Sequence, residues 1–262
     1  MIFEERLEIL FNRKVAAETY CLGLKGPEIA RAARAGQFLM IKVAPGNAPL
    51  LRRPFSIAGI VDDTVHLIYR VVGKGTALLA ETGEGRKLSV LGPLGKGFFT
   101  DMPGHRYLLV AGGIGVAPLY FLSRALEGAD VEFMMGFRSS AETFVYEPLL
   151  GSGLKITLAT DDGSRGYAGP VTGLLEQYFD AVVDKPVAVF TCGPKPMLRQ
   201  VARMCMDRRI ACQASLETYM GCGLGACLGC AVKTPAGEQD QYLYACKDGP
   251  VFSVELIDWN DY

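Results

Sequence analysis

Histidine is nearly missing from this chain, with two residues in 262, His66 and His105. Proton-transfer machinery built on imidazole is therefore scarce. Neither sign of charge is in excess, with 27 Lys and Arg against 28 Asp and Glu. A net charge of −1 leaves no electrostatic footprint for nucleic acid or an anionic membrane surface. No apolar run approaches the roughly 18 residues needed to span a bilayer. The opening Met-Ile-Phe-Glu-Glu-Arg-Leu-Glu lacks a basic stretch followed by an apolar core, so no secretory signal is expected there. Half the residues are hydrophobic, enough to build two domains, or two and a small module. Eight cysteines without an export signal point to a reducing cytoplasm, where thiolates are free for metal.

Four of those cysteines carry the strongest signal. Cys222, Cys227 and Cys230 read C-x4-C-x2-C, and Cys246 follows further on. That order is the plant-type [2Fe–2S] spacing. Glycines at 221, 223, 225 and 229 allow the positive φ values that a tight wrap needs. They also let backbone N–H groups approach cluster sulfurs, where hydrogen bonds tune the potential. Structural zinc competes, but it usually shows two short ligand pairs rather than three thiolates in one loop. A disulfide framework suits a small secreted chain instead, and unliganded buried thiols do not explain the glycines. A [2Fe–2S] centre moves one electron at a time, so the expected setting is an electron-transfer system.

The first hundred residues alternate short β-like runs with Gly/Pro turns: 20–24, 38–43, 55–61, 65–72 and 87–91. This texture predicts a small antiparallel barrel. From Arg106 onward, buried-strand candidates at 107–111, 131–136, 155–160 and 187–191 alternate with helical patterns at 118–126, 171–179 and 196–208. Strand–helix alternation predicts a doubly wound parallel sheet. From about Gln213 the chain becomes a cysteine-rich tail that closes with residues 251–257.

Two kinds of motif punctuate this frame. Arg52-Arg-Pro-Phe-Ser-Ile57 opens a barrel strand, where Arg offers a bidentate fork for a phosphate and Pro fixes the angle of approach. Downstream, Tyr69-Arg-Val-Val-Gly-Lys-Gly-Thr76 places a Gly-flanked Thr at a helix start, able to present N–H groups to a pyrophosphate or simply to cap the helix. Val110-Ala-Gly-Gly-Ile-Gly-Val-Ala-Pro118 forms a strand–glycine loop–helix junction that is not G-x-G-x-x-G. Polar or Gly-rich segments also end three other strands, at 136–138, 160–163 and 191–194. Open α/β sheets bind ligands beyond the carboxyl ends of their strands, so four such ends favour a dinucleotide crevice.

Arg-Pro-Phe-Ser, Gly-Lys-Gly-Thr, Leu91-Gly-Pro-Leu-Gly-Lys-Gly-Phe98, Gly-Gly-Ile-Gly-Val-Ala-Pro, Cys192-Gly-Pro-Lys-Pro-Met197 and the cysteine loop occur in one fixed order. In this the chain resembles ferredoxin–NADP reductase-like flavoproteins along nearly its whole length. With its cysteine-rich tail it is similar to the electron-transfer subunits of class 1B dihydroorotate dehydrogenases. The resemblance implies an FAD-binding β-barrel domain over 1–101, an NAD-binding α/β domain over 102–212 and a [2Fe–2S] module over 213–262. By motif, Arg53, Pro54, Phe55 and Ser56 would hold the flavin and its phosphates. Ile68, Tyr69 and Arg70 would line the FAD, with Gly75 and Thr76 at its pyrophosphate. Gly112, Gly113, Gly115, Cys192 and Gly193 would contact NAD(H), and Cys222, Cys227, Cys230 and Cys246 would hold the cluster. Ser56, Cys192 and Glu217 would come near the flavin or nicotinamide, although Cys192 serves equally as packing and Glu217 as a surface carboxylate.

The family implies an FMN-containing dihydroorotate dehydrogenase catalytic subunit as partner, in a cytoplasmic heterotetramer of two subunits of each kind serving pyrimidine biosynthesis. Alternatives within the same fold are subunits of a bifurcating transhydrogenase, a hydrogenase or a sulfite reductase. In the transhydrogenase relatives the first cluster ligand tends to be Asp, whereas this chain has Cys222. At the third strand's end, Asp161-Asp162 replaces the Ser and Arg that grip a 2′-phosphate in NADP-using relatives. A carboxylate such as Asp162 accepts from a ribose 2′-OH and repels a phosphate, which favours NADH. Arg138, Ser139 and Arg165 lie nearby and pull the other way. Residues 218–232 carry no charged side chain, so the loop is expected to be covered, by a partner or by the rest of the chain. Cys21, Cys205, Cys212, Met204 and Met206 read as packing residues.

Overall fold

The computed structural model describes residues 1–46, 48–181 and 185–262. Six strands close an antiparallel barrel: β1 (Phe3–Ala16), β2 (Thr19–Lys25), β3 (Phe38–Lys42), β4 (Arg53–Val61), β5 (Thr64–Arg70) and β6 (Lys87–Leu94), in the order β1-β2-β5-β4-β3-β6. Inward positions alternate along the strands, so Leu22, Leu24, Leu39, Ile41, Ile57 and Leu67 fill one core. Two short helices, α1 (Pro27–Ala32) and α2 (Lys74–Ala80), plug that core with Ile29 and Leu79. The sequence marks five of the six strands. It misses β1, because only Leu7 and Ile9 of that strand are buried. Register shifts at Ile9/Phe11 and Lys14/Ala16 also interrupt its period of two. Without β1, which pairs with both β2 and β6, the barrel would stay open.

The second unit is a seven-stranded sheet in the order β10-β9-β8-β7-β11-β12-β15. Its strands are β7 (Arg106–Gly112), β8 (Val131–Phe137), β9 (Lys155–Thr160), β10 (Tyr167–Ala168), β11 (Val187–Cys192), β12 (Ala211–Ser215) and β15 (Val251–Ser253). All pairings are parallel except β12 with β15. Helices α3 (Val116–Ala125), α4 (Val171–Asp180) and α5 (Lys195–Arg208) cover the faces. The chain builds outward from β7 through β8 and β9, then returns to start β11 on β7's other side. That reversal is a topological switch point, where open α/β sheets place their ligands. The tail adds the ladder β13 (Ala231–Lys233) with β14 (Tyr242–Tyr244), and sends β15 back into the sheet. Residue 213, the expected start of the tail module, therefore lies within β12.

Barrel and sheet meet through α3 and the segment that follows β8. Leu149 packs where a Cβ on Gly59 would stand, and Tyr146 faces the ring of His66 at 6.1 Å. His66 is buried, its Nδ1 has no hydrogen-bond partner among the described residues, and desolvation pulls the imidazole down to about 4. An unfolded histidine titrates near 6.5, so below that pH the unfolded chain binds more protons than the folded one. Stability is therefore greatest above about pH 6.5 and falls, by on the order of 3 kcal/mol in all, as pH drops toward 4. We predict that His66→Leu flattens this acid limb in urea titrations between those two pH values. An unchanged slope would show that the imidazole does not sit there neutral.

Candidate functional site

Between the barrel and the carboxyl end of the sheet lies a cavity of about 270 Å³. The barrel wall comprises Pro54, Phe55 and Ser56 of β4 with Ile68, Tyr69 and Arg70 of β5, and Thr76 of α2 completes it. The opposite wall includes Cys192, Glu217, Met220 and Pro250. Apolar walls with a few converging polar groups are the usual make-up of a cofactor site. Tyr69 is fixed by donating its hydroxyl to Asn12 Oδ1 at 3.0 Å and by stacking on Tyr20. Burial holds that hydroxyl well above the usual phenol range, so it stays protonated.

The two arginines of the β4 motif divide their tasks. Arg52 is engaged by Glu4 at 2.7 Å and by Ser89, which anchors the strand. Arg53 donates to the Leu51 carbonyl and lies over the first turn of α2, with its Nε 3.1 Å from where a Gly75 Cβ would stand. Gly75 thus keeps the guanidinium against the helix start, a placement that suits a pyrophosphate. The Thr76 hydroxyl accepts from Val72 N–H and Gly73 N–H, so it works as a cap. Arg70 pairs with Glu142 at 2.8 Å and ties the barrel to the sheet.

A second cavity of about 480 Å³ opens at the switch point and shares Arg70, Ile114 and Glu217 with the first. Gly112, Gly113 and Gly193 line it. Gly115 does not, because its task is close approach: a Cβ there would stand 2.1 Å from the Cys192 carbonyl oxygen. Gly112 has the same constraint against Met197. Of the two acids after β9, Asp161 lines this cavity. The Asp162 carboxylate instead accepts the N–H and hydroxyl of Ser164. Arg165 donates to Thr143, while Arg138 reaches the cavity wall. Cys192 is buried, and desolvation raises its thiol far above the usual range. Glu217 is exposed as a residue, yet the cleft walls crowd its carboxyl enough to raise it above the ordinary carboxylate range. The direction follows the crowding, and the water that still reaches the side chain limits its size.

Beyond Met220 the chain enters the cysteine loop. Gly223 and Gly225 take φ of +75° and +79°, and a Cβ on Gly223 would stand 2.6 Å from Met40 Cγ. The loop therefore sits directly on the barrel. Cys222 Sγ accepts the N–H groups of Leu224 and Cys227 at 3.3 and 3.4 Å. Those donors, Leu224 first, pull its thiol down to about 6. Cys246 Sγ accepts Gly225 N–H at 3.1 Å and lies 3.2 Å from Cys230 Sγ. Burial, with Cys230 beside it, pushes Cys246 up to about 12. The sulfurs thus stand as two pairs, 222 with 227 and 230 with 246, and those of Cys222, Cys230 and Cys246 accept backbone N–H groups. Among the described residues no three His, Cys, Asp or Glu side chains converge as a single-ion site requires. Two pairs suit a two-iron cluster, in which each iron takes two thiolates, better than one tetrahedral zinc.

Sequence motifs alone do not point to Met220 and Pro250. Each stands within four residues of a cysteine of the quartet, Cys222 and Cys246, and lines the first cavity. Asp161 rather than Asp162 at the second cavity is likewise a detail of turn geometry. Among the described residues no helix is long and apolar enough to cross a membrane.

Residues 217–258 match the family described as the iron–sulfur cluster binding domain of dihydroorotate dehydrogenase B. The chain is 43% identical, over 96% of its length and 97% of the relative's, to the dihydroorotate dehydrogenase B (NAD(+)) electron transfer subunit of Geobacillus thermodenitrificans. It is 37% identical to the same subunit of Desulforamulus reducens, over 96% and 97% of the two chains. Among solved structures, a chain of NADH-dependent reduced ferredoxin–NADP oxidoreductase, studied for flavin-based electron bifurcation, superposes with a TM-score of 0.85 at 27% identity, covering 97% of this chain and 90% of that one. A ferredoxin–NADP+ reductase from Neisseria gonorrhoeae with bound FAD and NADP shares the fold, with a TM-score of 0.65 at 20% identity over 79% and 91% of the chains.

Proposed function

The chain belongs to the family of dihydroorotate dehydrogenase B electron transfer subunits, and from that premise we propose which residues carry electrons between NAD(H) and a partner catalytic subunit. The partner is an FMN-containing dihydroorotate dehydrogenase subunit, assembled two to two with this one in the cytoplasm and serving pyrimidine biosynthesis. One observation supports the route above all. The first cavity shares Glu217 with the switch-point crevice, and its Met220 and Pro250 run into the segments that hold Cys222 and Cys246. A single site thus touches a nucleotide crevice on one side and the cysteine quartet on the other.

Bound FAD supplies the exchange between two-electron nicotinamide chemistry and one-electron cluster chemistry. The residues do the rest. Arg53 and the first turn of α2 hold the pyrophosphate, and Pro54, Phe55, Ile68 and Tyr69 give the ring system its apolar wall. Ser56 offers a hydroxyl to a polar ring edge. Gly112, Gly113 and Gly193 let the dinucleotide approach the backbone, and Asp161 faces its ribose. Glu217 stands where the two cavities join, and Cys192 would face the flavin from the first of them. Cys222, Cys227, Cys230 and Cys246 hold the cluster.

Mixed with an FMN-type dihydroorotate dehydrogenase catalytic subunit, the holoprotein should support oxidation of dihydroorotate by NAD+ in preference to NADP+. Asp161→Asn should narrow the NAD+/NADP+ ratio of kcat/KM by about tenfold, because removing a carboxylate lifts its repulsion of a 2′-phosphate. Absence of any dihydroorotate-driven NAD+ reduction by the complex would overturn the reading.

A further inference from the structure

Tyr262 belongs to neither cavity wall described above, yet its hydroxyl reaches back to Glu217. The Tyr262 Oη accepts the Glu217 N–H at 3.2 Å and donates to the Glu217 carbonyl oxygen at 3.3 Å. One hydroxyl thereby satisfies both main-chain groups of the residue that lines both cavities. Burial holds the phenol far above its ordinary range, so it remains a donor throughout neutral pH.

Tyr262 is itself held from three directions. Trp259 meets its ring edge-on at 5.5 Å, and Trp259 in turn donates to the Val254 carbonyl oxygen at 2.7 Å. Lys195 Nζ, at the first position of α5, lies 4.5 Å from the ring centroid. The Tyr262 N–H donates to the Asp258 carbonyl oxygen, and Asp258 N–H to that of Lys233 in β13. The ring therefore connects the tail ladder, the helix that follows the Gly193 loop, and Glu217.

Resting on the reading of the cleft as the meeting point of flavin and nicotinamide, we propose that Tyr262 is a positioning residue that fixes Glu217 there. Glu217 follows β12 in an irregular segment, and no side chain other than that of Tyr262 bonds its main chain among the described residues. Without the hydroxyl both groups turn to water, and the carboxyl loses its set direction into the cleft.

The test is Tyr262→Phe in the FAD- and iron-loaded holoprotein, which keeps the ring contacts and removes only the hydroxyl. Three readouts are taken: hydrogen exchange of the Glu217 amide, the FAD midpoint potential, and single-turnover reduction of the flavin by NADH. Expected are faster exchange at Glu217, a shifted potential, and a reduction rate lower by about tenfold, or about 1.4 kcal/mol, with FAD and iron contents unchanged. Glu217→Gln should remove most of that same effect, so adding Tyr262→Phe to it should cost little more. Additive losses, or a Tyr262→Phe protein that matches the wild type in exchange and rate, would overturn the positioning role while leaving the functional reading intact. A wild-type holoprotein that NADH does not reduce would instead overturn that reading, and the positioning role with it.

Discussion

Cys227→Ser should abolish dihydroorotate-driven NAD+ reduction by the assembled complex while leaving FAD bound and reducible by NADH. A serine hydroxyl stays protonated at neutral pH and is a hard ligand where the cluster needs a soft thiolate. The frame around it survives the change. Cys222 accepts the backbone N–H of residue 227, which any side chain leaves in place. The cluster-side wall of the first cavity rests on β12 and β15, which pair with each other through Ala214 and Phe252. That wall does not need iron to stand. Expected are loss of the cluster's visible absorbance and acid-labile sulfide, near wild-type flavin reduction by NADH, and electron transfer from the catalytic subunit to NAD+ down by at least about a hundredfold, about 2.7 kcal/mol in barrier. Full turnover without sulfide would place the electron route elsewhere. Loss of FAD together with iron would show that the cysteine loop's seat on Met40 is structural for the barrel as well.

What could be read from the sequence depended on how local each signal is. The central strands β7, β8 and β11 are buried over all but their first residue and so appear as largely apolar runs. The cysteine loop was legible because its ligand spacing and glycines lie within one short stretch. By contrast, β12 reads Ala-Cys-Gln-Ala-Ser, with no large apolar residue to mark a strand. It is recognisable only through its partners, β11 and a three-residue strand from the far end of the tail. Strand β1 hid for a related reason, since its outer face is solvated and bulged. At the site, residue types located the cleft but not the division of labour inside it. Whether Asp161 or Asp162 faces the crevice depends on one turn closed by Ser164. Whether Thr76 caps or binds depends on the amides of Val72 and Gly73. The contact of Tyr262 with Glu217 joins residues 45 apart and has no sequence pattern at all.

Replacing Leu224 and Leu228 should weaken assembly with the catalytic subunit without disturbing either cofactor. The uncharged loop is covered by its own chain on the barrel side only: Leu224 and Leu228 are 51% and 53% exposed, and nearby Tyr219 is 97% exposed. Large apolar side chains clustered beside an electron carrier are costly in water and are removed from it by a docked partner. Leu228 adds a second sign, since it holds φ at +58°, a conformation that opposes its side chain. A leucine kept there against its backbone preference serves something other than the loop's own stability. Leu228→Asn is therefore the discriminating change, because asparagine tolerates that backbone and removes only the apolar surface. Fully burying a leucine contributes about 1.5–3 kcal/mol, and about half of that remains to be gained at a half-exposed site, so each of Leu228→Asn and Leu224→Asp should raise the dissociation constant by about three- to tenfold. The pair should raise it by up to about a hundredfold, read by calorimetry or sedimentation against the catalytic subunit at matched FAD and iron contents. Assembly at wild-type strength in the double variant would mean that the partner docks on another face and that electrons reach the quartet from a different side.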